Sequence, residues 1–334
     1  MIPRSLPLQQ TAPWQQELAK AITDPLELLD MLKIPASRLP VSLAADKGFP
    51  MKVTHSFIRR MRSGDLNDPL LKQVLPLAAE CEQQPGYSND PLDENTGMPA
   101  PGLLHKYHGR VLLTLTGACA IHCRYCFRRH FPYPQANPMA QHWQASVDYI
   151  RENADISEII LSGGDPLSLS DNKLARVVNQ LSDIPHLQRL RIHTRQPVVL
   201  PSRIDDALLG WLVDTRLKTV IVLHINHAAE IDHELAQACQ RLRKATDHLL
   251  NQSVLLHSIN DSVPTLEALS LKLFETGILP YYLHQLDAVN GAAHFSVNDK
   301  KAKSLHKELQ ARLPGYLLPR LVREFPDMPA KQLL

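Results

Sequence analysis

From Val111 onward, short apolar runs recur about every thirty residues: VLLTLTG, EIILSGGD, RLRIHTR, TVIVLHIN, NQSVLLH and LPYYLHQLD. Most are followed by a stretch with helical period, such as DNKLARVVNQLSD (171–183) and DHELAQACQRLRKA (232–245). Strand then helix, repeated, specifies a parallel sheet with helices outside it, because a parallel crossover needs a dozen or more residues and a helix supplies them. Six such units are too few for a closed eight-fold barrel. The expectation is an α/β fold: an open, partial (β/α)6 barrel of TIM-like type. The loops differ in length and content, so the spacing marks βα units and not a solenoid.

Residues 1–105 are different in character, proline-rich and helix-forming. One amphipathic run covers TDPLELLDMLKI (23–34), with Asp24 and Pro25 as cap and first-turn proline, and a second covers DPLLKQVLPLAAEC (68–81). The stretch QQPGYSNDPLDENTGMPAPG (83–102) has turn residues and no apolar period, and reads as an extended connector. The division expected is a helical region with connector at 1–105, the partial barrel at 106–300 and a C-terminal segment at 301–334.

At 334 residues and 44% hydrophobic composition the chain can bury a sizeable core, and a net charge of +2 without a basic tract gives no footprint for nucleic acid. MIPRSLPLQQ has no signal-type apolar segment and no stretch approaches the ~20 apolar residues of a membrane span, so a cytoplasmic protein is expected.

Reactive residues gather at the C-terminal ends of the apolar runs, where parallel α/β folds place their sites: Cys119, then Gly163, Gly164 and Asp165, then Arg195, His224 and Asp287. The first of these opens CAIHCRYCFRRHFPY, which carries three of the five cysteines. Cys81 and Cys239 stand apart in helix-like surroundings as ordinary structural cysteines. The spacing Cys119-x3-Cys123-x2-Cys126 fits neither the paired ligands of structural zinc nor the four-cysteine run of bacterial ferredoxins. Three thiolates can hold three irons of a [4Fe–4S] cluster and leave the fourth open to a cosubstrate.

With Tyr125 as the aromatic, the motif resembles the C-x3-C-x-aromatic-C signature of radical S-adenosylmethionine enzymes. SGGDPL (162–167) resembles the glycine-rich element that approaches the methionyl amino group there, which implicates Gly163, Gly164 and Asp165. Further segments, LLHKYHGRVLLTLTGACAIHCRYCFRRHFPY, IHTRQPVVLPSRI, HINHAAEI, NQSVLLHSIND and PYYLHQLDAVNGAAHF, resemble the lysine 2,3-aminomutase family in order, from about residue 86 to the C-terminus. The resemblance implies an isomerase that makes β-lysine from free L-α-lysine with a [4Fe–4S] cluster, S-adenosylmethionine and pyridoxal 5′-phosphate. RRHFPY and GAAHF look most like the branch that supplies β-lysine for elongation factor P, with that factor and its β-lysyl ligase as pathway partners and a reductant such as flavodoxin.

Residue by residue, the resemblance makes Lys331 the lysine that holds pyridoxal phosphate covalently. A lysine so near a chain end is otherwise an ordinary solvated residue, and the family's preceding glycine-rich run is replaced here by FPDMPA. Arg128 matches the substrate-carboxylate arginine. Asp287 and Glu324 match the acids that hold the distal ammonium, with glutamate in place of aspartate at 324. Arg110 and Arg195 are candidates for the phosphate of the pyridoxal cofactor, and His224, Asn251 and Gln252 for the adenosine side. Ser262 stands where long-chain aminomutases have a zinc-ligating cysteine, so no structural zinc is expected. A radical enzyme acting on another amino acid or serving free β-lysine metabolism, and a non-catalytic iron–sulfur protein, are the alternative readings.

Overall fold

The structure, a computed structural model, describes residues 12–136, 138–326 and 328–334. The N-terminal stretch read above as lacking a signal segment lies outside the described residues, as does Asp327 in the FPDMPA stretch. One nine-stranded sheet runs in chain order: β1 Leu103–Tyr107, β2 Arg110–Thr116, β3 Glu158–Gly163, β4 Arg189–Thr194, β5 Lys218–His224, β6 His248–Leu255, β7 Leu279–Gln285, β8 Arg320–Arg323 and β9 Gln332–Leu333. Neighbours from β2 to β8 are parallel, while β1 and β9 are antiparallel additions at the two edges.

The six apolar runs are β2 to β7. The helices between them bury the face their period dictates: Leu174, Val177, Val178 and Leu181 in Asp171–Ser182, and Leu235, Ala238, Cys239 and Leu242 in His233–Ala245. Each fully buried leucine or valine contributes roughly 1.5–3 kcal/mol against exposure. Cys239 is therefore a core residue as expected, whereas Cys81 is exposed at the end of a short 3-10 turn.

Three strands were not legible as runs. β1 is LLHKY, folded back on β2 through Gly109, whose φ of +71° suits glycine. β8, RLVR, follows the helix Asp299–Gln310 and pairs in parallel with β7, so the βα alternation continues through residue 300 into the segment 301–334. β9 then returns antiparallel on β8, pairing Arg323 with Gln332.

The sheet curls without backbone pairing between its first and last strands. Instead, Tyr107 of β1 donates to Glu324, just past β8, at 2.7 Å, and Lys106 lies 3.5 Å from the same oxygen. The curl leaves a lumen lined by inward side chains, and that lumen is the cavity described below.

In the N-terminal region, Asp24 accepts from Leu26 N and Pro25 begins the helix Pro25–Met31, as the sequence specifies. The stretch 68–81 forms no α-helix, only 3-10 turns at Leu71–Gln73 and Ala78–Cys81. Asp68 competes for the backbone by accepting from Leu70 N and Leu71 N, and Pro76 removes a donor inside the run. The whole region packs outside the barrel, with the Arg203 guanidinium 4.6 Å from the Trp14 ring and Arg60 donating to Val198 O and Glu230 O.

Gly163 and Gly164 end β3 against the loop that follows β2. A Cβ on Gly163 would lie 2.6 Å from Thr116 O, and on Gly164 2.6 Å from Ala118 O; Gly163 also has φ +122°. Their absence of side chains allows Gly164 N and Asp165 N to donate to Thr116 O and Ala118 O at 2.6 and 2.8 Å. The Gly163→Ala variant is expected to lose about 1–3 kcal/mol, the usual cost of such backbone strain. Denaturant unfolding checks this, and a variant as stable as the parent contradicts it.

Candidate active site

Cys119, Cys123 and Cys126 stand on one wall of a cavity of about 850 Å³ that also receives Arg128, Asp287, Glu324 and Lys331. The cysteine loop is gripped from outside the barrel. Lys52 donates to Cys119 O at 3.0 Å, and His122 Nδ1 lies 2.6 Å from Pro50 O. Glu80 takes Arg124 through Nε at 2.9 Å and Nη2 at 2.6 Å, and takes Arg129 at 2.8 Å. All three side chains are at most 5% exposed, so one carboxylate is shared by two buried guanidiniums.

Burial, with the nearby negative charges of Asp165 and the other two cysteines, pushes the Cys119 thiol well above its ordinary value. Burial and Cys123 push Cys126 up to about 11. Three thiolates can share this wall only with positive charge between them, which iron supplies. Among the described residues no group of His, Cys, Asp or Glu converges as the ligands of a single ion do. A cluster takes one thiolate per iron, and the donor set fits that group.

Several site residues sit where the sequence placed them. Gly163 and Gly164 border the cysteines, and His224 lies behind them with Nε2 3.2 Å from the Tyr125 hydroxyl. Burial and then the charge of Arg195 hold His224 well below the ordinary imidazole range, so it is neutral. Gln252 lines the cavity, as does Arg110, whose guanidinium is 4.7 Å from the Tyr107 ring.

Three placements differ. Arg195 does not face a phosphate position: its guanidinium donates to Cys123 Sγ, the Tyr125 hydroxyl, Gln73 Oε1 and Glu230 Oε2, all within 2.9 Å. Asn251 is turned out of the cavity, its amide clasping Ile225 N and O beside Ser253. As an inward-facing neighbour of Gln252 it was one residue out of phase, since alternate strand residues face opposite sides. Asp165 spends its carboxylate inside the protein, accepting from Thr194, Arg195 N, Gln196 N and Leu167 N, which ties the end of β3 to that of β4.

Lys331 is positioned by the β8–β9 return. One step beyond the Arg323–Gln332 pair, Glu324 comes opposite Lys331, and the two form an ion pair. Burial would raise the Glu324 carboxyl, but Lys331, with Tyr107 and Lys106, holds it at about 2. Among the described residues Asp287 has no such partner: burial first, then the charge of Glu324, raises it to about 7 against the opposing pull of Lys331. Buried His284 is driven down to about 3, chiefly by burial and then by Lys331. Lys106, Tyr107 and Arg110 form a cationic, hydrogen-bonding rim near Lys331, chemistry that suits the phosphate of a pyridoxal cofactor.

Arg128 is 7% exposed and donates to both oxygens of Glu94 at 2.7 Å and to Ser162 Oγ at 3.0 Å. Burial opposes its charge, but Glu94 overrides this and raises its pKa. Glu94, Gln73, Glu80, Glu230 and Lys106 were missed as site residues. Glu80 carried a signal, an acid inside the apolar stretch PLAAEC; Glu94, in a connector without period, carried none.

The model of a 4Fe-4S single cluster domain matches residues 108–188. The L-lysine 2,3-aminomutase of Haemophilus influenzae is 47% identical over 100% of this chain and 98% of that protein, and the Escherichia coli protein of the same name is 47% identical over 95% and 93%. The chain belongs to the lysine 2,3-aminomutase family. The Clostridium subterminale aminomutase is 37% identical over 84% of this chain and 67% of its own length. A radical SAM methyltransferase from Sphaerobacter thermophilus is similar over 66% of this chain and 68% of its own, at 19% identity and a TM-score of 0.46.

This aminomutase is thus an isomerase of the radical S-adenosylmethionine class, with a [4Fe–4S] cluster, S-adenosylmethionine and pyridoxal 5′-phosphate as its cofactors and a reductant as a required partner. Among the described residues no helix is long and apolar enough to cross a membrane. Ser262, the position discussed for zinc, caps the helix Val263–Glu275 by accepting from Thr265 N.

The Glu80→Gln variant leaves two buried guanidiniums short of a counter-charge. It is expected to lose about 3–5 kcal/mol and to load less iron per chain. Denaturation and iron analysis check this; unchanged stability and iron content contradict it.

Proposed function

We propose that this protein converts L-α-lysine to β-lysine, and that the β-lysine serves the modification of elongation factor P together with its β-lysyl ligase. The observation that carries the first part is the single cavity in which three cluster cysteines, a buried arginine, two acids and Lys331 meet. Lysine offers a carboxylate at one end and an ammonium at the other, and such a cavity has a cation for the first and anions for the second.

When bound, the cluster with S-adenosylmethionine supplies radical chemistry, and pyridoxal phosphate supplies the means of carrying nitrogen between adjacent carbons. In this reading Cys119, Cys123 and Cys126 hold three irons, and the bare backbone at Gly163 and Gly164 admits the methionyl end of the cosubstrate. His224 and Gln252 border its adenosine side. Lys331 provides the amine that anchors the pyridoxal group, with Arg110 and Lys106 toward its phosphate. Arg128 takes the substrate carboxylate. Asp287 and Glu324 take the distal ammonium, and the longer glutamate lets the second acid reach Lys331, Tyr107 and Lys106 at once.

The use of the product on elongation factor P is supported by the RRHFPY and GAAHF stretches and by the full-length likeness to two bacterial aminomutases. A cytoplasmic setting with a flavodoxin-type reductant accompanies that reading. Intact-mass measurement of the factor from cells lacking this protein, with and without the gene restored, tests it; a factor modified equally in both contradicts it.

Two expected outcomes test the site. Borohydride reduction of the pyridoxal-loaded protein leaves a pyridoxyl adduct on Lys331 by peptide mapping, and none in Lys331→Ala; an adduct elsewhere sinks the assignment. Asp287, raised to about 7, is charged above that pH and neutral below it, so an ammonium is held better on the alkaline side. Lysine KM is therefore expected to rise roughly tenfold from pH 8 to pH 6, following the fall in ionised Asp287. The same rise in Asp287→Asn would show that another group is responsible.

A further inference from the structure

Glu94 lies in the connector 83–102, outside every strand and helix, yet it makes the two strongest contacts that Arg128 has. Its oxygens accept from Arg128 Nε and Nη2, each at 2.7 Å, and Ser162 Oγ accepts from Nη1 at 3.0 Å. A guanidinium has five N–H groups, one on Nε and two on each terminal nitrogen. Glu94 and Ser162 use three. Among the described residues the second N–H of Nη1 and the second N–H of Nη2 meet no acceptor, so both terminal nitrogens of this cavity-lining arginine keep a donor to offer a carboxylate.

We propose that Glu94 is a positioning residue for substrate recognition: it fixes the plane of the Arg128 guanidinium so that its two remaining donors meet an α-carboxylate. The proposal rests on Arg128 as the carboxylate-binding residue. Glu94 is itself held. Asp90 accepts from Glu94 N and Asn95 N at 2.9 Å each. Upstream, Ser88 N donates to Ala288 O at 2.9 Å and Ser88 O accepts from Asn290 N at 2.9 Å. Those partners lie one and three residues after Asp287. The connector is thus a strap pinned beside the acid at one point and clamped to the arginine at another, which sets one end of the substrate site relative to the other.

A salt bridge that only held the strap down would stabilise the protein without caring whether the ligand has a carboxylate. The roles separate by comparing L-lysine with L-lysinamide, which keeps both amines and lacks the carboxylate. Dissociation constants are measured on anaerobic, cofactor-loaded protein without S-adenosylmethionine, so that no turnover occurs. In Glu94→Gln, a substitution of equal size, lysine binding is expected to weaken about tenfold while lysinamide binding stays within twofold, as loss of a well-oriented charge-assisted pair predicts. In turnover KM rises and kcat stays within about threefold. Glu94→Asp keeps the charge but is too short to reach both nitrogens, and shifts lysine in the same direction. Equal weakening of both ligands, or no change in either, overturns the proposal.

Arg128→Lys distinguishes this claim from the one beneath it. If that variant loses the preference for lysine while Glu94→Gln keeps it, Glu94 has no positioning role and Arg128 still binds the carboxylate. If Arg128→Lys keeps the preference, both assignments fall.

Discussion

The carboxylate of Glu324 is where the two edges of an open sheet meet. The sheet does not pair its first strand with its last, and an unclosed curl would leave its lumen open along one side. Glu324 bridges the gap with side chains, holding Tyr107 and Lys106 from the first strand and Lys331 from the last turn of chain. The junction also brings Lys331 to the cavity lining, beside Glu324. A residue near the chain end thereby becomes part of the interior, at 23% exposure, though nothing local in FPDMPAKQLL suggests it.

The same junction divides the labour of two acids. Glu324, surrounded by donors and cations, stays ionised at about 2, while Asp287, buried near that fixed charge, rises to about 7. Environments that push two carboxyls apart in this way give them different tasks. One is a permanent anchor for the cationic groups around it. The other gains its charge most readily when a cation arrives, as the substrate ammonium would in the proposed reading. Around the cysteine loop the arrangement is reversed in sign: Arg195, Arg124 and Arg129 are each tied to an acid, and Arg195 also donates to Cys123 Sγ, so buried cations back the sulfurs.

How much of this was legible follows from how local each feature is. The six apolar runs gave β2 to β7, and the cysteine spacing gave the cluster wall, because both are written within short stretches of chain. β1, β8 and β9 were not legible, since short edge strands such as LLHKY and RLVR alternate with charged residues and owe their existence to a partner strand. Arg195 was correctly placed at a strand end, but its partners Gln73 and Glu230 come from 122 and 35 residues away, and only the fold turns it toward Cys123. Asn251 shows the limit of phase: Gln252 next to it faces the cavity and it cannot. Glu94 shows the limit of pattern, for a connector without period can still deliver one carboxylate to a buried arginine.

The most direct test of the account is the fate of isotopically labelled L-lysine incubated anaerobically with the reconstituted protein, S-adenosylmethionine, pyridoxal phosphate and a reductant. The account predicts that the nitrogen moves from C2 to C3 of lysine, seen by NMR as β-lysine, and that L-arginine and L-glutamate are left unchanged. Cleavage of S-adenosylmethionine with lysine recovered intact, or rearrangement of another amino acid in its place, would contradict it.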